Sequence, residues 1–148
     1  MKKIVLATGC FDLLHQGHRK FLKAAKAQGD LLIVGLETDK RVRQLKGKGR
    51  PINKLAARLK NLAKIKVVDL VFPLPESFGD VQAHLELLRL VKPDILALSQ
   101  NTPHIEVKKK LIEKTGGRLF VFPFDNRFST SKLIKNQIIS TSPLDKNC

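Results

Sequence analysis

Apolar and polar positions fall in alternating blocks along the chain. Lys3 to Thr8 is a short apolar run closed by Gly9, the pattern of a strand buried on both faces. Arg19 to Gln28 carries Phe21, Leu22, Ala24 and Ala25 at helical spacing and stops at Gly29. Leu31 to Leu36 is a second apolar run, Leu55 to Ile65 is helical in period, and Val67 to Phe72 reads as a third strand. Val81 to Val91 predicts a helix, then Pro93 precedes a fourth strand from Asp94 to Leu98. His104 to Thr115 is helical and ends at Gly116-Gly117; Leu119 to Phe122 is a fifth strand and Ser131 to Ile139 a last helix.

Continuous apolar strands separated by helices predict a parallel sheet covered on both faces and reached by right-handed crossovers. The expected fold is therefore α/β, a Rossmann-like, doubly wound, five-stranded parallel sheet in a single domain spanning residues 1–139. Residues 140–148 lose the periodicity and read as a loose tail. Gln44 to Asn53, with Gly47, Gly49, Pro51 and the bases Lys46, Lys48 and Arg50, reads as a flexible basic loop. In such folds ligands lie outside the carboxyl ends of the strands, so the loops after the first, second, fourth and fifth strands are the ones to inspect.

Composition narrows the partners. A length of 148 residues with 43% hydrophobic content suits one domain with a proper core. The first residues are too short an apolar stretch for a signal peptide, and no run approaches the roughly 20 apolar residues of a membrane span. The cysteines, Cys10 and Cys148, form no framework pattern, which together with the rest favours a cytoplasmic protein. A net charge of +15 concentrates anions, phosphate in particular, around the molecule. Most of these bases read as a solvated surface; with no Trp, no Tyr and no arginine-rich run, nucleic acid is disfavoured as a partner.

The candidate chemistry lies in the loop after the first strand, Thr8-Gly9-Cys10-Phe11-Asp12-Leu13-Leu14-His15-Gln16-Gly17-His18, with a helix beginning at about Gly17 or His18. Both histidines then stand at a positive helix end with free backbone N–H groups, where dipole and hydrogen bonds together favour an anion. Gly17 lets the backbone approach a ligand, and two imidazoles three residues apart can donate to phosphate oxygens and offset charge on a phosphate under attack. The competing reading is a pair of capping or surface histidines. A zinc site is disfavoured: His84 and His104 lie on unrelated segments and read as ordinary surface positions.

The string Gly9 to His18 resembles the signature of the cytidylyltransferase-like nucleotidyltransferase superfamily. At the far end, Phe128-Ser129-Thr130-Ser131-Lys132-Leu133-Ile134 resembles the family's Ile-Ser-Thr-Thr/Ser motif, whose hydroxyls and N–H groups hold the triphosphate tail; helix capping alone is the alternative for that segment. Arg41 to Asn53, and Gly116-Gly117-Arg118 leading into Val121-Phe122-Pro123-Phe124, look more like the bacterial heptose 1-phosphate adenylyltransferase domain than glycerol-3-phosphate cytidylyltransferase. The resemblance covers roughly Ile4 to Ile138. It implies nucleotide-binding roles for Gly9, Cys10, Phe11, Asp12, Gly17, Phe128, Ser129, Thr130 and Ser131, and for Arg58 and Lys66, each of which alone reads as a solvated charge. It implies that Lys46 reaches the phosphates of donor and acceptor. The relatives' Gly-Gly-Asp-Tyr or Gly-Asp-Asp-Trp after the fourth strand is Leu98-Ser99-Gln100-Asn101-Thr102-Pro103 here, with Asn101 about where an aspartate stands, and Arg127 replaces a glycine.

The resemblance implies transfer of a nucleoside monophosphate from a triphosphate to a phosphorylated small molecule, with release of pyrophosphate. His15, His18 and Lys46 are its expected catalytic groups, Lys46 and Asn101 its acceptor contacts, and Mg²⁺ bound with the triphosphate its cofactor. AMP is favoured over CMP. The alternatives are a cytidylyltransferase acting on a polyol or amino-alcohol phosphate and a non-catalytic nucleotide- or nucleic-acid-binding module of the same fold. The resemblance also allows a homodimer.

Overall fold

The computed structural model describes residues 1–123. The strands are β1 Ile4–Gly9, β2 Leu31–Leu36, β3 Leu70–Pro73, β4 Ile95–Ser99 and β5 Arg118–Phe122. The helices are α1 Gln16–Lys26, α2 Asp39–Lys46, α3 Leu55–Ala63, α4 Val81–Val91 and α5 Ile105–Lys114. All the strands pair in parallel in the order β3-β2-β1-β4-β5, so the chain winds outward from β1 to β3 and then crosses back to β4. The order therefore reverses between β1 and β4, and a crevice opens there at the carboxyl ends. This is the expected doubly wound α/β sheet.

Strand alternation sorts the core into two layers. Val5, Ala7, Ile95 and Ala97 point to the face covered by Phe21, Leu22 and Ala25 of α1 and Leu62 of α3. Leu6, Leu96 and Leu98 point to the face covered by Leu85, Leu87 and Leu88 of α4 and Leu111 and Ile112 of α5. Leu6, Leu22, Leu32 and Leu36 are fully buried, and each such side chain is worth about 1.5–3 kcal/mol relative to exposure.

Two features depart from expectation. Helix α2 occupies part of the region read as loop, its start capped by Thr38 Oγ1, which accepts from the Arg41 amide at 3.3 Å. Its only buried apolar residue is Val42 and Leu45 is exposed, so it carries no apolar stripe for periodicity to detect. The basic loop that follows is tied down. The Asp12 carboxylate accepts from the amides of Ile52 and Asn53 at 2.6 and 2.7 Å and from Arg50 Nε at 3.1 Å, while Asn53 Nδ2 donates to the Asp12 carbonyl at 2.8 Å.

A second anchor is Arg58 of α3, 0% exposed. Its guanidinium donates to the carbonyls of Asn53, Cys10 and Glu37 at 2.9, 3.0 and 2.8 Å and pairs with Asp39 Oδ1 at 2.7 Å. One buried cation thus joins the ends of β1 and β2 to α2 and α3. The expected last helix, the segment Phe128 to Ser131, Arg127 and the tail lie outside the described residues.

Candidate active site

Strand β1 delivers the chain to Gly9, and the turn that follows is fixed by packing. A Cβ on Gly9 would stand 3.0 Å from Phe11 Cε2, so the phenyl ring needs a glycine there. Phe11 itself takes φ 48° and packs 5.2 Å, centroid to centroid, from the His18 ring. Helix α1 begins one turn position earlier than expected, with His15 in extended conformation as its cap. His15 Nδ1 accepts from the Gly17 amide at 3.1 Å and the His18 amide at 3.4 Å. The expectation of free N–H groups at these two positions is thereby corrected: an imidazole lone pair caps the helix as a Ser or Asp oxygen would.

That cap fixes the chemistry of His15. An Nδ1 that accepts leaves the ring proton on Nε2. Burial also holds the imidazole well below its ordinary range, at about 4, so His15 is neutral near pH 7. Its Nε2 is buried with no partner among the described residues, a donor lacking an acceptor, and the ring stacks on His18 at 3.8 Å.

Both histidines open onto a pocket of about 340 Å³ above the carboxyl ends of β1 and β4. One wall comes from the β1–α1 turn and α1, with Phe11, His15, Gly17, His18 and Phe21, and Phe122 of β5 beside it. The facing wall comes from the other side of the sheet: Phe78 and Gly79 before α4, His84 on α4, Thr102 to His104 after β4, and Lys108 on α5. Glu37 and Arg41, after β2, complete it. Burial pushes the Glu37 carboxyl up although Arg41 opposes the shift, and burial pulls the Lys108 amine down. His84 stacks on Phe78 at 4.1 Å, donates from Nδ1 to the Asp80 carbonyl at 2.8 Å, and is held low by burial.

Of the residues expected from the sequence, Gly9, Cys10, Phe11, His15, Gly17 and His18 line this pocket. Asp12, 1% exposed, lies beneath it with its carboxylate taken up by the 50–53 loop. Arg58 is the buried brace described above, its donors committed to backbone and Asp39 rather than to the cavity. Lys46 ends α2 one residue past the lining Leu45; it is 5% exposed, and burial and the Arg50 charge bring its amine down to about 7. Asn101 is exposed and outside the lining, which takes Ser99, Thr102, Pro103 and His104 from the same turn.

Lys66 corrects an expectation outright. It is exposed and precedes β3, at the amino edge of a parallel sheet whose carboxyl edge carries the pocket. The surface reading is corrected for His84, which is half-buried and lines the cavity; His104 is exposed, as expected, at the cavity's rim. Glu37 and Arg41 pair four residues apart, and Lys108 joins them only through the fold, so sequence reasoning did not single out the three as a site.

Among the described residues no group of three His, Cys, Asp or Glu could hold a metal ion, and the two acids at the site face Arg50 and Arg41. A magnesium ion would therefore fit here as part of the incoming triphosphate rather than in a protein cage. No helix among the described residues is long and apolar enough to cross a membrane.

Residues 6–136 match the family model described as Cytidylyltransferase-like. The chain belongs to this family. It is 40% identical over 136 residues to the Bifunctional protein HldE of Coxiella burnetii (strain Dugway 5J108-111), covering 91% of this chain and 28% of that protein. It is 41% identical over 135 residues to the HldE of Pelobacter propionicus, covering 90% and 27%. The chain thus spans under a third of the length of the curated relatives it matches. Among solved structures it resembles the lipopolysaccharide core biosynthesis protein of Thermoplasma volcanium GSS1, with a TM-score of 0.69 and 30% identity over 84% of this chain and 98% of that one. Thermotoga maritima TmcAL, bound with alpha-thio ATP, shares the fold at a TM-score of 0.67 and 13% identity, covering 93% of this chain and 50% of its own. Membership of this family agrees with the enzyme class expected from the His15 turn, nucleotidyl transfer.

Proposed function

We propose that this chain transfers AMP from ATP to a phosphorylated sugar-like acceptor. An acceptor phosphate oxygen attacks the α-phosphorus, the bond from that phosphorus to the oxygen bridging to the β-phosphate breaks, and pyrophosphate leaves without a covalent enzyme intermediate. The carrying observation is the stacked His15–His18 pair at the start of α1, with the His15 Nε2–H buried, neutral and lacking an acceptor among the described residues. A neutral donor held in place by its own helix cap is suited to the extra charge that develops on an α-phosphate in the transition state. Positioning and charge stabilisation supply most of such catalysis.

His18 takes the neighbouring α-phosphate or leaving oxygen. Lys46, with an amine near 7, is poised to gain a proton and full charge as the triphosphate arrives. Ser129, Thr130 and Ser131 hold the β- and γ-phosphates in this reading, and Mg²⁺ arrives with the triphosphate. The choice of adenine over cytosine is supported by the resemblance of Arg41 to Asn53 to the heptose 1-phosphate adenylyltransferase domain. A sugar-like acceptor is supported by the likeness to a lipopolysaccharide core biosynthesis protein.

The test is a thermal-shift panel of ATP, CTP, GTP and UTP with Mg²⁺, followed by a pyrophosphate-release screen over phosphorylated sugars and polyols. ATP alone should stabilise strongly, about 2.7 kcal/mol at a hundred times its Kd, and release should require one acceptor. Stabilisation by CTP instead would move the donor to cytosine. No release with any pair, together with oligonucleotide binding that weakens steeply with salt, would favour a binding module.

A further inference from the structure

Nucleotidyl transfer as proposed uses the α1 wall of the pocket and leaves the facing wall without a task. That wall holds an unusual charge arrangement. Glu37 is buried at the end of β2, its amide donating to the Gly9 carbonyl at 2.9 Å. Three basic groups lie in its field: Arg41 of α2, Lys108 of α5, whose amine burial pulls down, and Arg58 of α3, which Asp39 already pairs.

The Arg41 guanidinium is held on three sides. Its Nε stands 3.6 Å from Glu37 Oε2, its Nη1 donates to Gln44 Oε1 at 3.4 Å, and Gly79 leaves it room, since a Cβ there would lie 3.1 Å from Nη1. Lys108 approaches from the opposite helix, and residues 99–105, which connect β4 to that helix, contain no acidic side chain. Among the described residues lining the pocket, then, one carboxylate, Glu37, faces two basic side chains, Arg41 and Lys108. Charges withdrawn from water need a counter-charge and hydrogen bonds, and among the described lining residues these two bases share a single carboxylate. An oxyanion supplies both, and the planar guanidinium offers it paired donors.

We propose that Arg41 and Lys108 form a second anion subsite, across the pocket from His15 and His18, and that it binds a carboxylate or second phosphate carried by the acceptor. Glu37 positions Arg41, and the subsite selects acceptors with two anionic groups: one that attacks and one that anchors. The inference rests on the transferase reading for the identity of the occupant as an acceptor; the subsite itself is testable without turnover.

The experiment is calorimetric titration of the full chain, without nucleotide, using two matched pairs of probes. 3-Phosphoglycerate against glycerol 3-phosphate asks about a carboxylate, and fructose 1,6-bisphosphate against fructose 6-phosphate asks about a second phosphate. Wild type should prefer the doubly anionic member of one pair by about tenfold, the scale of one charge-assisted contact, and the pair that discriminates names the anchoring group. Lys108→Gln and Arg41→Gln should each abolish the preference, and Lys108→Arg should restore it, with folding of each checked by circular dichroism. Equal binding within both pairs, or a preference that survives in both Gln variants, overturns the subsite. A chain that shows the preference yet releases no pyrophosphate with any acceptor overturns the transferase reading instead.

Discussion

The α1 wall and the α4–α5 wall face each other across one pocket, and they place their polar groups by different means. On the first wall the whole arrangement is local. His15 caps the helix that carries His18, so residues two and three positions away fix the ring and its tautomer, while burial keeps it neutral. On the second wall only the Glu37–Arg41 pair is local: His84 rides on α4 and Lys108 on α5, and these meet that pair only because the sheet brings the elements together. In the proposed reaction the first wall meets developing charge with the neutral His15 donor. The proposed subsite on the second wall meets a ground-state anion with the Arg41 guanidinium and the Lys108 amine.

Beneath both walls lies Arg58, and its removal gives the largest expected effect. It ties the carbonyls of Cys10 and Glu37, one from the base of each wall, to α2 and α3. Arg58→Ala should lower the unfolding free energy in urea by about 3–5 kcal/mol, because several buried acceptors lose their donor together. A loss under 1 kcal/mol would show that the two walls do not share this foundation.

Next in size is a split between the walls in kinetics. His18→Ala should reduce kcat by about 10² to 10⁴, roughly 3–5 kcal/mol, with a modest change in the KM for ATP. Lys108→Ala should do the reverse, raising the acceptor KM about tenfold with kcat little changed, since it would remove binding made equally in ground and transition states. Matching kcat losses in the two variants would erase the distinction.

A smaller effect concerns pH. His15 has a folded-state pKa of about 4, below its ordinary value of 6.5, so between these the unfolded chain takes up the proton more readily. Its contribution to stability is complete above pH 6.5 and should decline as pH falls towards 4. Nitrogen NMR of the ring should show the Nε2–H tautomer at pH 7, and His15→Asn, which keeps a cap, should flatten that part of the stability profile. A ring that titrates at its ordinary value would remove the link between cap and charge state.

The same contrast explains what could be read in the sequence. Five parallel strands appear as contiguous apolar runs because helices cover both faces of the sheet, and β2 and α4 fall at the bounds their patterns predict. The His15–His18 turn was legible because its parts are adjacent. Helix α2 was not, since Val42 is its only buried apolar residue. Arg58 resembles any helix charge until its four acceptors, drawn from three separate stretches of the chain, are seen around it. Lys66 was named from the resemblance alone; its place before β3 sets it at the amino edge of the sheet, away from the pocket at the carboxyl edge. The second wall was hard to read along the chain, as His84 and Lys108 become neighbours of the Glu37–Arg41 pair only through the fold.

The central claim is that the α1 wall catalyses transfer of a nucleotidyl group. The most direct measurement follows the label of [α-³²P]ATP in the presence of Mg²⁺ and the acceptor found by the release screen. The account predicts that label moves into a new acceptor product in step with pyrophosphate release, and that His18→Ala abolishes this transfer while remaining folded. Label that stays in ATP, or ends in ADP with free phosphate, or transfers unchanged in His18→Ala, would contradict it.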